Sequence, residues 1–187
     1  MQLLLKAATY IDATNRYIGT IVYWLTLLMV LIGVYNAGAR YIGRWIGRSL
    51  TTNTFLELQW YLYSLVFLFM AGYALKNEAH VRVDVLHSRL SERKQAWIDL
   101  LGTLLFLIPL CFFTIYLSWS FVANSIAIRE MSPDPGGLPR WPIKLAIPVA
   151  FFFLLLQGIS QLVKNAAFLT GATDTRREPE ASQREAT

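Results

Sequence analysis

The chain has 187 residues, 55% of them hydrophobic and 16% charged, with a formal net charge of +5. That is too apolar for an ordinary soluble domain, and the excess is concentrated in four charge-free runs of membrane-crossing length. A soluble enzyme is excluded, and so is the nucleic-acid binding that a net positive charge would otherwise invite. The chain reads as an integral membrane protein.

No Asp, Glu, Lys or Arg occurs between Arg16 and Arg40, between Glu57 and Lys76, between Asp99 and Arg129, or between Lys144 and Lys164. A helix rises about 1.5 Å per residue, so about 20 residues cross the hydrocarbon core. The expected fold is all-α, with four transmembrane helices at about 17–39, 55–75, 96–124 and 142–166 in one membrane domain of residues 1–168. Short interfacial helices are expected beside them. Residues 169–187 are polar, contain proline and show no apolar period, which predicts a disordered tail.

The opening MQLLLKAATYIDATNR has an apolar patch broken by Lys6 and Asp12 and no convincing cleavage site. It reads as a short amphipathic helix along the interface, not as a removable signal peptide. Lys and Arg are distributed unevenly: eleven fall on the side of the chain ends and the second connection, six on the other side. By the positive-inside rule both termini are expected in the cytoplasm.

After the first span comes RYIGRWIGRSL, in which Arg40, Arg44 and Arg48 are four apart. Either this is a helix lying on the outer interface, or the first span overshoots and its arginines snorkel to headgroups. Gly43 and Gly47 form a Gly-x-x-x-Gly pair there, a weak signal for helix dimerisation.

In the second span Glu57, Tyr61, Ser64, Leu68, Gly72 and Leu75 share one helical face. Ser64, Ala71 and Gly72 are small enough to admit a neighbouring helix, while Leu62 and Phe69 read as lipid-facing. An ionisable residue in a span is a functional suspect, but at a span mouth structural pairing of Glu57 is the stronger reading. The connection that follows alternates Val81-Arg82-Val83-Asp84-Val85, too short a pattern to decide strand from helix. Ser91 then reads as an N-cap, with Glu92 placed where the helix dipole favours an acid.

The third span contains Pro109, which removes a backbone donor and predicts a kink. MSPDPGGLPRWPIKLAIP follows with five of the chain's seven prolines and predicts a turn-rich outer cap. Pro142 suits the first turn of the fourth span, and Gln157 and Gln161, one turn apart, are expected to face protein. No internal repeat is apparent.

The sequence offers little chemistry. His80 and His87 lie outside the spans, where they cannot be axial haem ligands of a membrane bundle, and Glu78 and Asp84 near them lack a metal-site spacing. Cys111 is single and lies in a span, so packing explains it. There is no phosphate-binding loop, dinucleotide fingerprint or nucleophile triad. Neither cofactor nor metal is expected.

The run Glu57–Gly102 (ELQWYLYSLVFLFMAGYALKNEAHVRVDVLHSRLSERKQAWIDLLG) resembles the small, DctQ-like membrane subunit of tripartite ATP-independent periplasmic (TRAP) transporters. The matching pieces are Glu57 with Trp60 and Tyr61, the exit Ala71–Leu75, His80–Asp84, and Ser91 onward. A second match is GLPRWPIKLAIP, Gly137–Pro148. Gly72 departs from the family's Ala-Tyr-Ala-Leu spacing by standing inside it.

The resemblance implies a non-catalytic subunit in a bacterial inner membrane. Its system would import organic anions, such as dicarboxylates, on a sodium gradient. A periplasmic protein would deliver the solute, and a large elevator-type subunit would carry the sodium and solute sites. The small subunit would extend that subunit's static scaffold, and nucleic acid has no part in such a system. On this reading Glu57, Trp60, Tyr61, Ser64 and Gly72 are interface or structural residues. Arg82 and Asp84 pin the cytoplasmic connection, and Arg140 and Trp141 meet the binding protein. The rival readings are a stand-alone, homo-oligomeric carrier or channel and a membrane enzyme.

Overall fold

The computed structural model describes residues 2–77 and 90–173. Four helices within them are long and apolar enough to cross a membrane: α1 (Gln2–Ile46), α2 (Asn53–Lys76), α3 (Glu92–Ala127) and α4 (Trp141–Leu169). The observed helices contain the four expected spans. The connection bearing Val81–Val85, His80 and His87, and the tail from residue 174, lie outside the described residues.

The flanks of the first span do not form separate interfacial helices. Residues 2–16 and 40–46 are continuous with it, giving a helix of 45 residues. At about 1.5 Å per residue α1 is about 68 Å long, against a hydrocarbon core of about 30 Å. No proline or glycine pair interrupts residues 2–46, and the N-terminal part is tied to α4 through Asp12 and Asn15. Arg40 and Arg44 thus stand on a direct continuation of the first helix, as an overshooting span would place them.

α1 and α2 are antiparallel. Gly19 lies against the Tyr73 ring, which a Cβ would overlap, and a Cβ on Gly33 would come within 2.9 Å of the Gln59 amide nitrogen. The same register sets residue 39 opposite residue 53, so α1 runs past both ends of α2.

α4 is the central helix and packs against all three others, whereas α3 packs chiefly on α4. The buried face of α4 explains this, since it is built largely from Ala146, Ala150, Gly158, Ser160 and Ala167. Between helices in lipid, close backbone approach replaces the hydrophobic effect as the driving force, and small residues permit it. α2 lies between α1 and α4, which corrects the lipid-facing assignment of two residues. Leu62 is buried, and the Phe69 ring packs 6.4 Å from that of Phe153. The outward face of α2 is instead Trp60, Tyr63 and Phe67, the last two stacked at 6.5 Å.

The effect of Pro109 appears just before it. Thr103–Leu107 is a π-helical turn, and the Ile108 N–H donates to the Thr103 carbonyl, five residues back. Widening the helix by one residue separates the proline ring from the carbonyl it would strike in an α-helical register. Gly158 of α4 receives the bulge: a Cβ there would stand 2.9 Å from Leu107 Cδ2.

α3 closes in a Schellman motif. The Glu130 N–H donates to Ser125 O at 3.0 Å and the Arg129 N–H to Ile126 O at 3.1 Å. Arg129 holds the left-handed position, at φ 48°. Gly171 occupies the equivalent place at the end of α4, with φ 72° and the same bond pair. A side chain with a Cβ costs about 1 kcal/mol in that conformation. Arg129→Gly is therefore expected to stabilise the protein by about 1 kcal/mol, read as a raised thermal midpoint in mild detergent.

Candidate functional site

Two polar constructions join distant parts of the chain, one at each end of the bundle. The first is the cap between α3 and α4. Asp134-Pro135-Gly136-Gly137 makes a turn with proline at its second position and Gly136 at φ 72° in its third. The Gly137 N–H closes it on Asp134 O at 2.9 Å. Proline and glycine preset these two positions, so the turn folds locally. Flanking it, the Ser132 N–H donates to Leu138 O at 3.1 Å and the Arg140 N–H to Glu130 O at 2.8 Å, a miniature hairpin.

The start of α2 grips this hairpin. Glu57, 3% exposed, accepts a bond on each carboxylate oxygen, from the Ser132 hydroxyl and from the Leu138 N–H. The Tyr61 hydroxyl donates to Pro139 O at 2.8 Å, and Asn53 Nδ2 donates to Pro135 O at 3.1 Å. Thr54 adds a bond to Gly136 O. Gly137 must be glycine here because a Cβ would overlap the Ser132 side chain and come within 2.9 Å of Glu57 Oε1. A carboxylate at the span mouth thus serves as the acceptor for the Leu138 N–H, while the Ser132, Gly137 and Arg140 N–H groups are satisfied within the loop.

The other side of the cap is held by Glu130. Its carboxylate accepts from Ser125 Oγ at 2.7 Å and pairs with Lys144, whose ammonium also lies 4.0 Å from the centre of the Phe121 ring. The Lys144 bond first, then the Ser125 bond, holds the Glu130 carboxyl below its ordinary value of 4.5, and the Arg140 charge adds to this. A depressed folded-state value means that the unfolded chain binds the proton more readily. The Glu130 contribution is thus complete above pH 4.5 and is lost as pH falls through the folded value. Hydrogen exchange of cap amides is expected to be level from pH 6 to 8, after correction for intrinsic rates, and to rise on acidification below 4.5. Glu130→Gln is expected to flatten that rise.

The second construction lies at the opposite end, where α1 meets α4. Asp12, 1% exposed, accepts from Gln157 Nε2 at 2.8 Å and from Ser160 Oγ at 2.8 Å, and forms an ion pair with Lys164. Asn15 Nδ2 donates to Gln157 Oε1 at 2.8 Å, extending the chain of bonds. The Asn15 oxygen lies against Gly72, where a Cβ would approach to 2.6 Å, so the network also sets how closely α2 comes in. Gln157, Ser160 and Lys164 fall on one stripe of α4 by their spacing, and Asp12 and Asn15 are one turn apart on α1.

Of the residues singled out in the sequence, Glu57, Tyr61 and Gly72 are buried against the protein's own chain. Ser64 donates to Trp60 O within its helix at 2.8 Å. Trp60 is 41% exposed on the outward face of α2, and Trp141, 38% exposed, opens α4 beside the half-buried Arg140. Arg82 and Asp84 lie outside the described residues. Sequence reasoning placed Gln157 toward protein, and it is buried there. It missed Asp12, Asn15, Ser160 and Lys164 because Asp12 was read as part of an interfacial segment. The signal available was the polar series 157, 160, 161, 164 on one face of a span, which needs a polar partner of matching length.

Among the described residues no three His, Cys, Asp or Glu side chains converge as metal ligands. The fold and its paired polar ends define an all-helical, multi-pass membrane protein. Residues 29–168 match the family described as tripartite ATP-independent periplasmic transporters, DctQ component, and the chain belongs to that family. It is therefore the small membrane subunit of a TRAP transporter, a transport component and not an enzyme. No curated protein and no solved structure matches the chain closely enough to add to this.

Proposed function

We propose that this subunit is a rigid extension of the static scaffold in a sodium-coupled importer of organic anions in a bacterial inner membrane, with both termini cytoplasmic. The observation that carries the scaffold role is the inward use of polar side chains. Glu57, Asp12, Gln157 and Ser160 are each buried and bonded within the chain. What α2 and α3 offer outward is apolar and aromatic, including Trp60, Tyr63, Phe67, Phe106 and Tyr116. Such a surface suits a large, permanent helix partner in the membrane, and a bundle tied at both ends suits a part that stays still while another moves.

Affinity purification through a C-terminal tag in mild detergent is expected to recover a much larger multi-span protein in stoichiometric amount. Recovery of this chain alone, or as a homo-oligomer, across several detergents would overturn the scaffold reading in favour of an independent carrier. The outer cap, with Arg140 and Trp141, is the proposed contact for the periplasmic binding protein. Arg140→Glu is expected to reduce uptake when binding protein is limiting, with subunit co-purification intact. Lost co-purification would assign Arg140 to cap folding instead.

A further inference from the structure

Beyond the start of α2, the end of α1 carries Arg40 and Arg44 one turn apart on a single stripe. Gly47 then takes φ 71°, and the Arg48 N–H donates back to Gly43 O at 3.1 Å. A Cβ on Gly43 would stand 2.5 Å from Arg48 O, so glycine is needed for the chain to fold back against the helix. The Gly43–Gly47 pair thus forms a helix-ending turn. That turn returns Arg48 beside Arg40 and Arg44, around a cleft of about 350 Å³.

Ser49 and Thr51 also line the cleft, and no acidic residue does. Among the described residues, no ion pair neutralises these three arginines. The helix C-terminus supplies only about half a negative charge, which leaves about +2.5 concentrated at one place. The neighbours of the arginines are Tyr41, Ile42, Trp45 and Ile46, exposed by 69%, 54%, 86% and 60%. Aromatic and branched side chains exposed beside cations are the composition of a membrane–water boundary, not of a surface bathed in water. Ile42 and Ile46 stand on the far side of the helix from Arg40 and Arg44, whereas Tyr41 and Trp45 flank the arginine stripe. An occupant must therefore bring negative charge to the cleft and apolar chains to Tyr41 and Trp45 beside it.

We propose that this cleft binds the phosphate of an anionic phospholipid headgroup, with the lipid's acyl chains lying along the outer face of α1. A soluble anion would satisfy the arginines but leave the apolar neighbours uncovered.

The test is native mass spectrometry of the full-length chain, with its co-purifying partner, titrated with phosphatidylglycerol or phosphatidylethanolamine. Phosphatidylglycerol is expected to be retained and phosphatidylethanolamine is not. At about fivefold per arginine, the triple variant R40Q/R44Q/R48Q is expected to lose about a hundredfold in phosphatidylglycerol affinity. Arg93→Gln with Lys94→Gln, at the other end of the bundle, is expected to leave it unchanged. Gly43→Ala keeps every charge but displaces Arg48, and a loss of about fivefold is expected. Should the triple variant fail to fold, Gly43→Ala and the two-lipid comparison in the unaltered protein decide the matter. Equal retention of the two lipids, or unchanged affinity in the folded variants, would overturn the proposal. Displacement of phosphatidylglycerol by millimolar inorganic phosphate would overturn it too, by assigning the cleft to a free anion.

Discussion

Replacing Asp12 with alanine is expected to lower the stability of the protein by about 3 kcal/mol. The carboxylate is 1% exposed and receives three side-chain donors, from Gln157, Ser160 and Lys164. Without it, the buried Gln157 amide loses an acceptor, Ser160 keeps only the Ala8 carbonyl at 3.2 Å, and the Lys164 ammonium loses the Asp12 carboxylate from its surroundings. Lys164 is 27% exposed, so part of its charge can be re-solvated, which keeps the loss toward the lower end for a broken buried pair. Asp12→Asn retains an oxygen for Gln157 and Ser160 and is expected to cost about half as much. Adding Lys164→Met to Asp12→Ala is expected to recover part of the loss, because it removes an ammonium that no longer faces the Asp12 carboxylate. Denaturation midpoints of the four proteins in one mild detergent check this. A change for Asp12→Ala within about 0.5 kcal/mol of zero would mean that water or lipid already solvates the group.

The second large effect is local. Glu57→Gln replaces an ionised acceptor of two bonds by a neutral amide whose oxygen can keep the Leu138 N–H only while its NH2 reverses the Ser132 bond, so both charge-assisted bonds weaken. The hairpin from Glu130 to Arg140 is expected to open about ten times more often, seen as faster amide exchange at Leu138 and faster proteolysis between residues 132 and 140. Membrane insertion is expected to be unaffected, since a single change at the span mouth leaves the charge-free run intact. Glu57→Ala is expected to go further in the same direction. Unaltered exchange at Leu138 in both variants would show that the turn Asp134–Gly137 holds the cap without α2.

These two positions bear on the same property. The Asp12 tie fixes α1 to α4 and, through Asn15 and Gly72, to α2, while the cap fixes α2 to the α3–α4 connection. α3 is otherwise held chiefly by α4, so the cap limits how far its capped end can swing. In the proposed scaffold role, a loosened cap is expected to reduce uptake before it reduces assembly.

The presence and number of spans are determined by the sequence alone. Charge-free length is a local property, and in a bilayer the backbone must satisfy itself within each segment, so helix follows without reference to a neighbour. The turn at Asp134–Gly137 and the disturbance before Pro109 are local for the same reason. Which face of a helix meets protein was only half legible: the Glu57–Gly72 face turns inward, but Leu62 and Phe69 do too. In lipid both protein-facing and lipid-facing residues are apolar, so the amphipathic signal that orients a soluble helix is weak. Only the tertiary structure decided that Asp12 belongs to a buried network, that Glu57 binds its own chain's cap, and that Arg48 returns to Arg40 and Arg44. Each joins residues by a bond or turn whose partner no local period identifies; Asp12 and Gln157 are 145 positions apart. A lone polar residue near a span is equally compatible with solvent, lipid headgroup or protein until its partner is placed beside it.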